Sequence, residues 1–398
     1  MHGRWRRVGA LAAIVVGAFS MVTVEQLPVG LLGLMADDLD TSRSTIGLLV
    51  TAYGLVVAVV SVPLTHLVQG VPRRLLLSGL LAVFVVSTAA SALAPGYGLL
   101  LGARLVTAVA QAVFWAVAAV TASGLFSPAA RARVIGLVLG GGSMAPVLGV
   151  PAATWIGEQS TWRAGFLAVS ALGVVAMVAT AVLVPSTRAG QGHASRGTAP
   201  DARRYWLILV VTALGITGSF TSYTYITAFL IDVAGFARAS MSGVLVALGI
   251  AGVLGTAVVA AVAGRHPRAA LVGSVALLAT SLLALNLFGD SPAAAVVIAS
   301  VTSFASASLP PAMVNQVLTV APGSTDVASA GHGSAFNLGI AAGALVGGWV
   351  LAGPGARSVP LVAAALAGLA LAVLLSEPLL HGRGRGPATG EVSVAAQQ

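Results

Sequence analysis

The sequence predicts an all-α integral membrane protein: twelve transmembrane helices in two pseudo-symmetric six-helix bundles. Three observations carry this. Charged residues are 8% of the 398 and apolar residues 58%, whereas soluble domains are roughly a quarter charged. Apolar stretches of the ~20 residues that cross hydrocarbon as a helix recur along the chain, and their unbroken length excludes a membrane barrel. Parts of the first half also return in the second. Gly47-Leu48-Leu49-Val50 recurs as Gly243-Val244-Leu245-Val246, and Pro72-Arg73 as Pro267-Arg268, at offsets of 196 and 195 residues.

The first span, 8 to 34, follows Arg4, Arg6 and Arg7. Ala18-Phe19-Ser20 would suit signal-peptide cleavage, but the apolar run continues to Met35, so the segment reads as a retained span. The second span, 44 to 68, precedes Arg73 and Arg74. The third and fourth, 75 to 94 and 98 to 122, lead to Arg131 and Arg133, and the fifth and sixth, 132 to 156 and 163 to 185, complete one bundle. From Pro185 to Arg204 the chain is rich in Gly, Ser, Ala and Arg without helical period, which marks a flexible linker. Six more spans follow, at 205 to 232, 241 to 263, 269 to 288, 292 to 318, 327 to 352 and 358 to 377. The resulting division is a first bundle over 1–187, a linker over 188–204, a second bundle over 205–380 and a flexible tail over 381–398.

A net charge of +9 would suggest a polyanionic partner in a soluble chain. Here all 20 basic residues are arginine and most fall in short gaps on one side of the predicted membrane. Only Arg43, Arg163, Arg238 and Arg357 fall in the gaps on the other side. By the excess of positive charge on cytoplasmic loops, both termini are expected in the cytoplasm. Basicity then reports topology, and nucleic acid is not an expected partner. With no cysteine, thiol chemistry and disulfides are excluded. No Gly-x-x-x-x-Gly-Lys loop and no lysine are present to serve a nucleotide. The six histidines and few acids are too scattered for a metal cluster, and no nucleophile with a base stands at a sensible depth for an enzyme.

Three motifs carry a family resemblance. After the second span, Thr65-His66-Leu67-Val68-Gln69 precedes Pro72-Arg73-Arg74. The fourth span holds Arg104-Leu105-Val106-Thr107-Ala108 and then Gln111; the fifth holds Gly141, Ala145-Pro146, Gly149 and Pro151. From 8 to about 377 the chain resembles the major facilitator superfamily, and within it the bacterial drug:proton antiporters that include chloramphenicol and sugar or arabinose exporters. Two departures stand out. Gln69 replaces the family's loop aspartate, with Gly264 at the second-half counterpart, and Ala145 replaces a glycine of the antiporter signature. The resemblance implies parallel repeats about an axis normal to the membrane, alternating access, no cofactor beyond a proton gradient, a small-molecule substrate, a bacterial inner-membrane location and a monomer. It also places the fifth-span motif where the halves meet.

Within the spans, only Glu25 and Arg104 are ionisable acids or bases well away from the ends. Each charge costs at least ~2.5 kcal/mol to bury in lipid, so each should face a cavity or a partner. By helical rise they lie about 13 and 9 Å from the same face, within mutual reach. Glu25 is the candidate proton carrier, with Arg104 its expected partner; the alternative is a static pair that only orients two helices. Gln111 and Trp115 share the face of Arg104. In the seventh span Thr217, Thr221 and Thr224 share a face, with Tyr223, Tyr225 and Thr227 nearby, although such hydroxyls often bond their own backbone. Asn337 joins these cavity candidates, with Asn286, Asn315 and Gln316 as lesser ones.

Gly141, Ala145 and Gly149, and likewise Gly339, Gly343 and Gly347, sit at the four-residue spacing that lets helices approach closely. His66 and His332 read as boundary residues. Pro28, Pro146, Pro151 and Pro310-Pro311 should kink their helices. The expected activity is secondary export of a small organic solute, a drug or similar lipophilic compound, against protons. The alternatives are proton-coupled import of a sugar or other metabolite, and a membrane enzyme or receptor.

Overall fold

A computed structural model describes residues 2–68, 70–127, 130–185, 199–263, 265–323 and 325–377. Gln69, Gly264, Arg188, Arg196, Arg383 and Arg385 lie outside these, as do most of the linker, the tail, and the side chains of Thr65, His66 and Asn315. Among the described residues twelve helical segments are long and apolar enough to span a membrane. The even count puts the first and last spans' free ends on one face, called here the terminus face; the other is the distal face.

Three spans are interrupted. The first runs His2–Gly30, halts at Leu31 and resumes over Leu32–Asp38. A Cβ on Gly30, at the halt, would lie 2.1 Å from Thr154 Oγ1, so a larger residue there would displace the Thr154 side chain. The seventh runs Ala202–Tyr223 and resumes over Ile226–Asp232. At its break the Tyr225 hydroxyl donates to the Ala344 carbonyl of the eleventh span at 2.9 Å. The Tyr225 hydroxyl oxygen occupies the space a Cβ on Gly47 would need, 1.8 Å away. The fifth span runs Arg131–Ser143, passes through a π turn at Ala145–Gly149 and continues over Val150–Gln159. Pro146 and Pro151 explain the widened turn: neither can donate to the preceding turn of the helix.

Packing repeats with the chain. In the first half, span 1 packs on 5 and 6, span 2 on 4, and span 3 on 4 and 6. In the second half, span 7 packs on 11 and 12, span 8 on 10, and span 9 on 10 and 12. Adding six to each number of the first set yields the second. The halves meet along spans 2 and 11 and along spans 5 and 8. Apolar side chains such as Val86, Val175, Val297 and Leu369 point outward, as lipid contact demands. Trp5 and Trp206 stand exposed near the terminus face, and Trp155 and Trp349 near the distal face, the levels at which indoles meet headgroups.

At the distal face four ion pairs engage all four distal arginines. Arg163 pairs with Asp38 inside the first half and Arg357 with Asp290 inside the second. The other two cross between halves: Arg43 pairs with Asp232, and Arg238 with Asp37. At the terminus face Arg204 and Arg268 pair with Glu377, all within the second half. The linker's end is not free there, since Ala199 and Asp201 donate their N–H groups to Thr319 and Val320 of the tenth span.

Candidate transport site between the halves

Pro28 organises the site from a distance. Lacking an N–H, it leaves the carbonyl four residues back, that of Val24, without its helical donor. The Arg104 guanidinium fills this gap, donating to Val24 O at 2.9 Å and to Glu25 O at 3.0 Å. Arg104 is completely buried, with its charge over the Tyr53 ring at 5.0 Å and the Phe166 ring at 6.0 Å. The expected Glu25 to Arg104 side-chain pair therefore does not form. Both terminal nitrogens of the guanidinium are directed to the first span's backbone, where the Val24 carbonyl lacks its helical donor.

The Glu25 carboxylate instead accepts from Gln111 Nε2 at 2.6 Å, while Gln111 Oε1 accepts from the Tyr53 hydroxyl at 2.8 Å. Spans 1, 2 and 4 thus hold the carboxylate through one amide. Among the described residues the carboxylate has no ion-pair partner, since the Arg104 guanidinium is turned to the backbone.

Next to Glu25, Gln26 turns the other way. Its Oε1 accepts from the Tyr223 hydroxyl at 2.8 Å, a bond between the first and seventh spans and hence between the halves. Both residues line a cavity of about 330 Å³ with walls from each half. Trp115, Phe220 and Phe336 supply aromatic surface, and Ser143, Ser219, Thr256, Ser303 and Ser306 supply hydroxyls. No charged side chain lines it among the described residues.

Of the residues singled out from sequence, Trp115, Tyr223, Pro146 and Pro310 line this cavity. Gln111 stands behind it, holding Glu25. Thr221, Thr224 and Asn337 do not line it. Thr221 donates to its own helix at Thr217 O, as Thr217 does at Ala213 O, and Asn337 donates to Gly333 O; Thr224 is buried. A hydroxyl or amide without a nearer partner satisfies itself on the preceding turn. Thr227 and Tyr225 also bond backbone carbonyls, those of Val29 and Ala344. Asn286 donates to Arg357 O, and Gln316 accepts from Arg204. Gln26 was missed in the sequence; an amide beside the lone intramembrane acid was the available signal.

The fifth-span motif divides its work. Gly141 and Gly149 press on the first span of the same half, at Val15 O and Thr23 Oγ1, rather than on the other half. The contact between halves falls one residue off the small-residue stripe, at Pro146 and Val147. A Cβ on Gly249 of the eighth span would lie 2.6 Å from both Pro146 O and Val147 Cα. Ala145 is fully buried, and Pro151 is buried one turn beyond. In the eleventh span Gly339, Gly343 and Gly347 lie against backbone carbonyls of the seventh.

Residues 14–324 match the family model of the Major Facilitator Superfamily. An uncharacterised MFS-type transporter, YtbD of Bacillus subtilis, is 34% identical over 354 residues, covering 86% of this chain and 88% of that one. The inner membrane transport protein YdhP of Escherichia coli is 32% identical over 364 residues, covering 91% and 94%. Two solved structures share the fold. The human organic anion transporter MFSD10 superposes with a TM-score of 0.67 at 16% identity, over 92% of this chain and 99% of its own. A bacterial homologue of the lysosomal transporter Spinster gives 0.68 at 14%, over 94% and 98%. The chain belongs to the major facilitator superfamily, and is a secondary transporter rather than an enzyme.

Proposed function

We propose that the protein exports a small, uncharged, amphipathic organic solute in exchange for protons, by alternating access. In this reading it works in the bacterial inner membrane with both termini cytoplasmic, in line with the arginine distribution and with the inner-membrane description of its YdhP relative. The cavity carries the proposal: aromatic and hydroxyl groups from both halves surround a space without charge, and the chain's one mid-membrane carboxylate lies a single residue from the wall.

A charged solute would have to shed its hydration there with no counter-charge to replace it, at several kcal/mol. A neutral one gains apolar contact and trades water for the hydroxyls. Protonation of Glu25 removes a charge that costs at least ~2.5 kcal/mol to enclose, which favours closure around the carboxylate. Release of the proton on the other side restores that cost and favours opening.

Energised inside-out vesicles test the reading. Wild type is expected to accumulate a neutral lipophilic substrate, found by a susceptibility panel in a host stripped of exporters. Glu25→Gln should reach the membrane and bind substrate without proton-driven uptake. Loss of substrate from the vesicles would mean import instead, and normal uptake by the variant would remove Glu25 from coupling.

A further inference from the structure

We infer that Asp37, Arg43, Asp232 and Arg238 form a two-fold latch that holds the distal face shut, and that Glu158 receives Arg43 when the latch opens.

The four residues are two copies of one device. Asp37 and Asp232 are 195 residues apart, and so are Arg43 and Arg238, the repeat offset of the chain. Each aspartate stands in the seven-residue helix after a broken span, Leu32–Asp38 and Ile226–Asp232. Each arginine opens the next span. Asp37 reaches Arg238, and Asp232 reaches Arg43, so each half offers one acid and one base to the other. A pair of identical halves related by a two-fold axis meets in this reciprocal way. The other distal pairs, Arg163 to Asp38 and Arg357 to Asp290, stay inside one half and are untouched by a rocking motion.

Between the crossing pairs lies a second cavity of about 220 Å³, lined by Arg43, Arg238 and Glu158 among others. Both Glu158 carboxylate oxygens are buried and without a hydrogen-bond partner. An ionised carboxylate there is costly while unpaired, and an arginine brought to it would relieve that cost. Glu158 and Arg43 belong to the same half and move together, whereas Asp232 departs with the other. Separation of the halves therefore frees Arg43 beside an unpartnered acid. Arg238 gains no such acceptor, because the repeat position of Glu158 is Gly353.

The inference rests on the rocking of the halves, not on export or proton coupling, and it is read without substrate or gradient. The natural chain lacks cysteine, so spin labels can be placed at the exposed positions Ser160 and Ala293, one in each half at the distal face. Double electron–electron resonance in nanodiscs then reports the fraction of open molecules. Asp37→Asn and Asp232→Asn should each raise the open-to-closed ratio about two- to fivefold, the worth of an exposed pair. The exchange Asp37→Arg with Arg238→Asp should return it toward wild type. Glu158→Gln should lower the ratio, the opposite sign. Asp290→Asn, which breaks a pair inside one half, should leave the distances unchanged. Unchanged distances in both crossing variants, or an effect of Asp290→Asn as large as theirs, would overturn the latch. A raised or unchanged ratio in Glu158→Gln would overturn the exchange of partners. Failure of transport alone would alter none of these readings.

Discussion

The Arg104 guanidinium donates to the Val24 carbonyl, the acceptor that Pro28 deprives of its helical donor. Arg104→Leu should leave the buried Val24 carbonyl unmet, at about 1–3 kcal/mol, remove a second hydrogen bond from Glu25 O, and lower the thermal unfolding midpoint in detergent. Adding Pro28→Ala restores an N–H to Val24 and should recover part of the loss. Equal losses with and without Pro28→Ala would show that the guanidinium stabilises by another route.

Tyr223→Phe removes the hydroxyl that joins Gln26 across the cavity while keeping the ring. A neutral hydrogen bond is worth about 0.5–1.5 kcal/mol, so apparent substrate affinity should change a few-fold with the fold intact. Equilibrium binding to purified protein measures it.

Gly249→Val should be among the most damaging single changes at the contact between halves. The added atoms meet backbone at Pro146 and Val147, which cannot swing aside as a side chain would. Overpacking of this kind costs roughly 1–3 kcal/mol. Transport should fall sharply, or passive leak rise, in vesicles that contain normal amounts of protein. Gly243→Ala, with open space around it, should be silent.

Asp38 receives hydrogen bonds from Trp162 and Arg163, and these hold its carboxyl below the usual aspartate range. Its contribution is complete above the unfolded value near 4 and is lost as pH falls through the lower folded value. Thermal stability should therefore show no Asp38-dependent change between pH 5 and 8. Below about pH 4, wild type and Asp38→Asn should converge.

Much of the architecture was legible because lipid leaves a chain few choices: each span must be apolar and must satisfy its own backbone. Charge scarcity likewise marked Glu25 and Arg104. Their relationship was not legible, since it passes through a proton that Pro28 lacks rather than through opposite charges. Thr221 and Asn337, bonded to their own helices, and Thr224, buried away from the cavity, were not legible for a related reason. Composition cannot tell a hydroxyl facing a ligand from one folded back on its helix. The repeated glycines divided too: Gly47 makes room for Tyr225, while Gly243 faces open space. The crossing aspartates and arginines were readable in principle at the 195-residue offset, but isolated charges at span ends look like ordinary boundary residues.

The cavity without charge has an electrical corollary. In exchange of a neutral solute for protons, the only net charge to cross the membrane is the protons' own. Turnover would then be a current, with each charge coupled to the membrane potential at about 2.3 kcal/mol per 100 mV. Voltage alone, at equal pH on both sides, would suffice to drive the solute uphill.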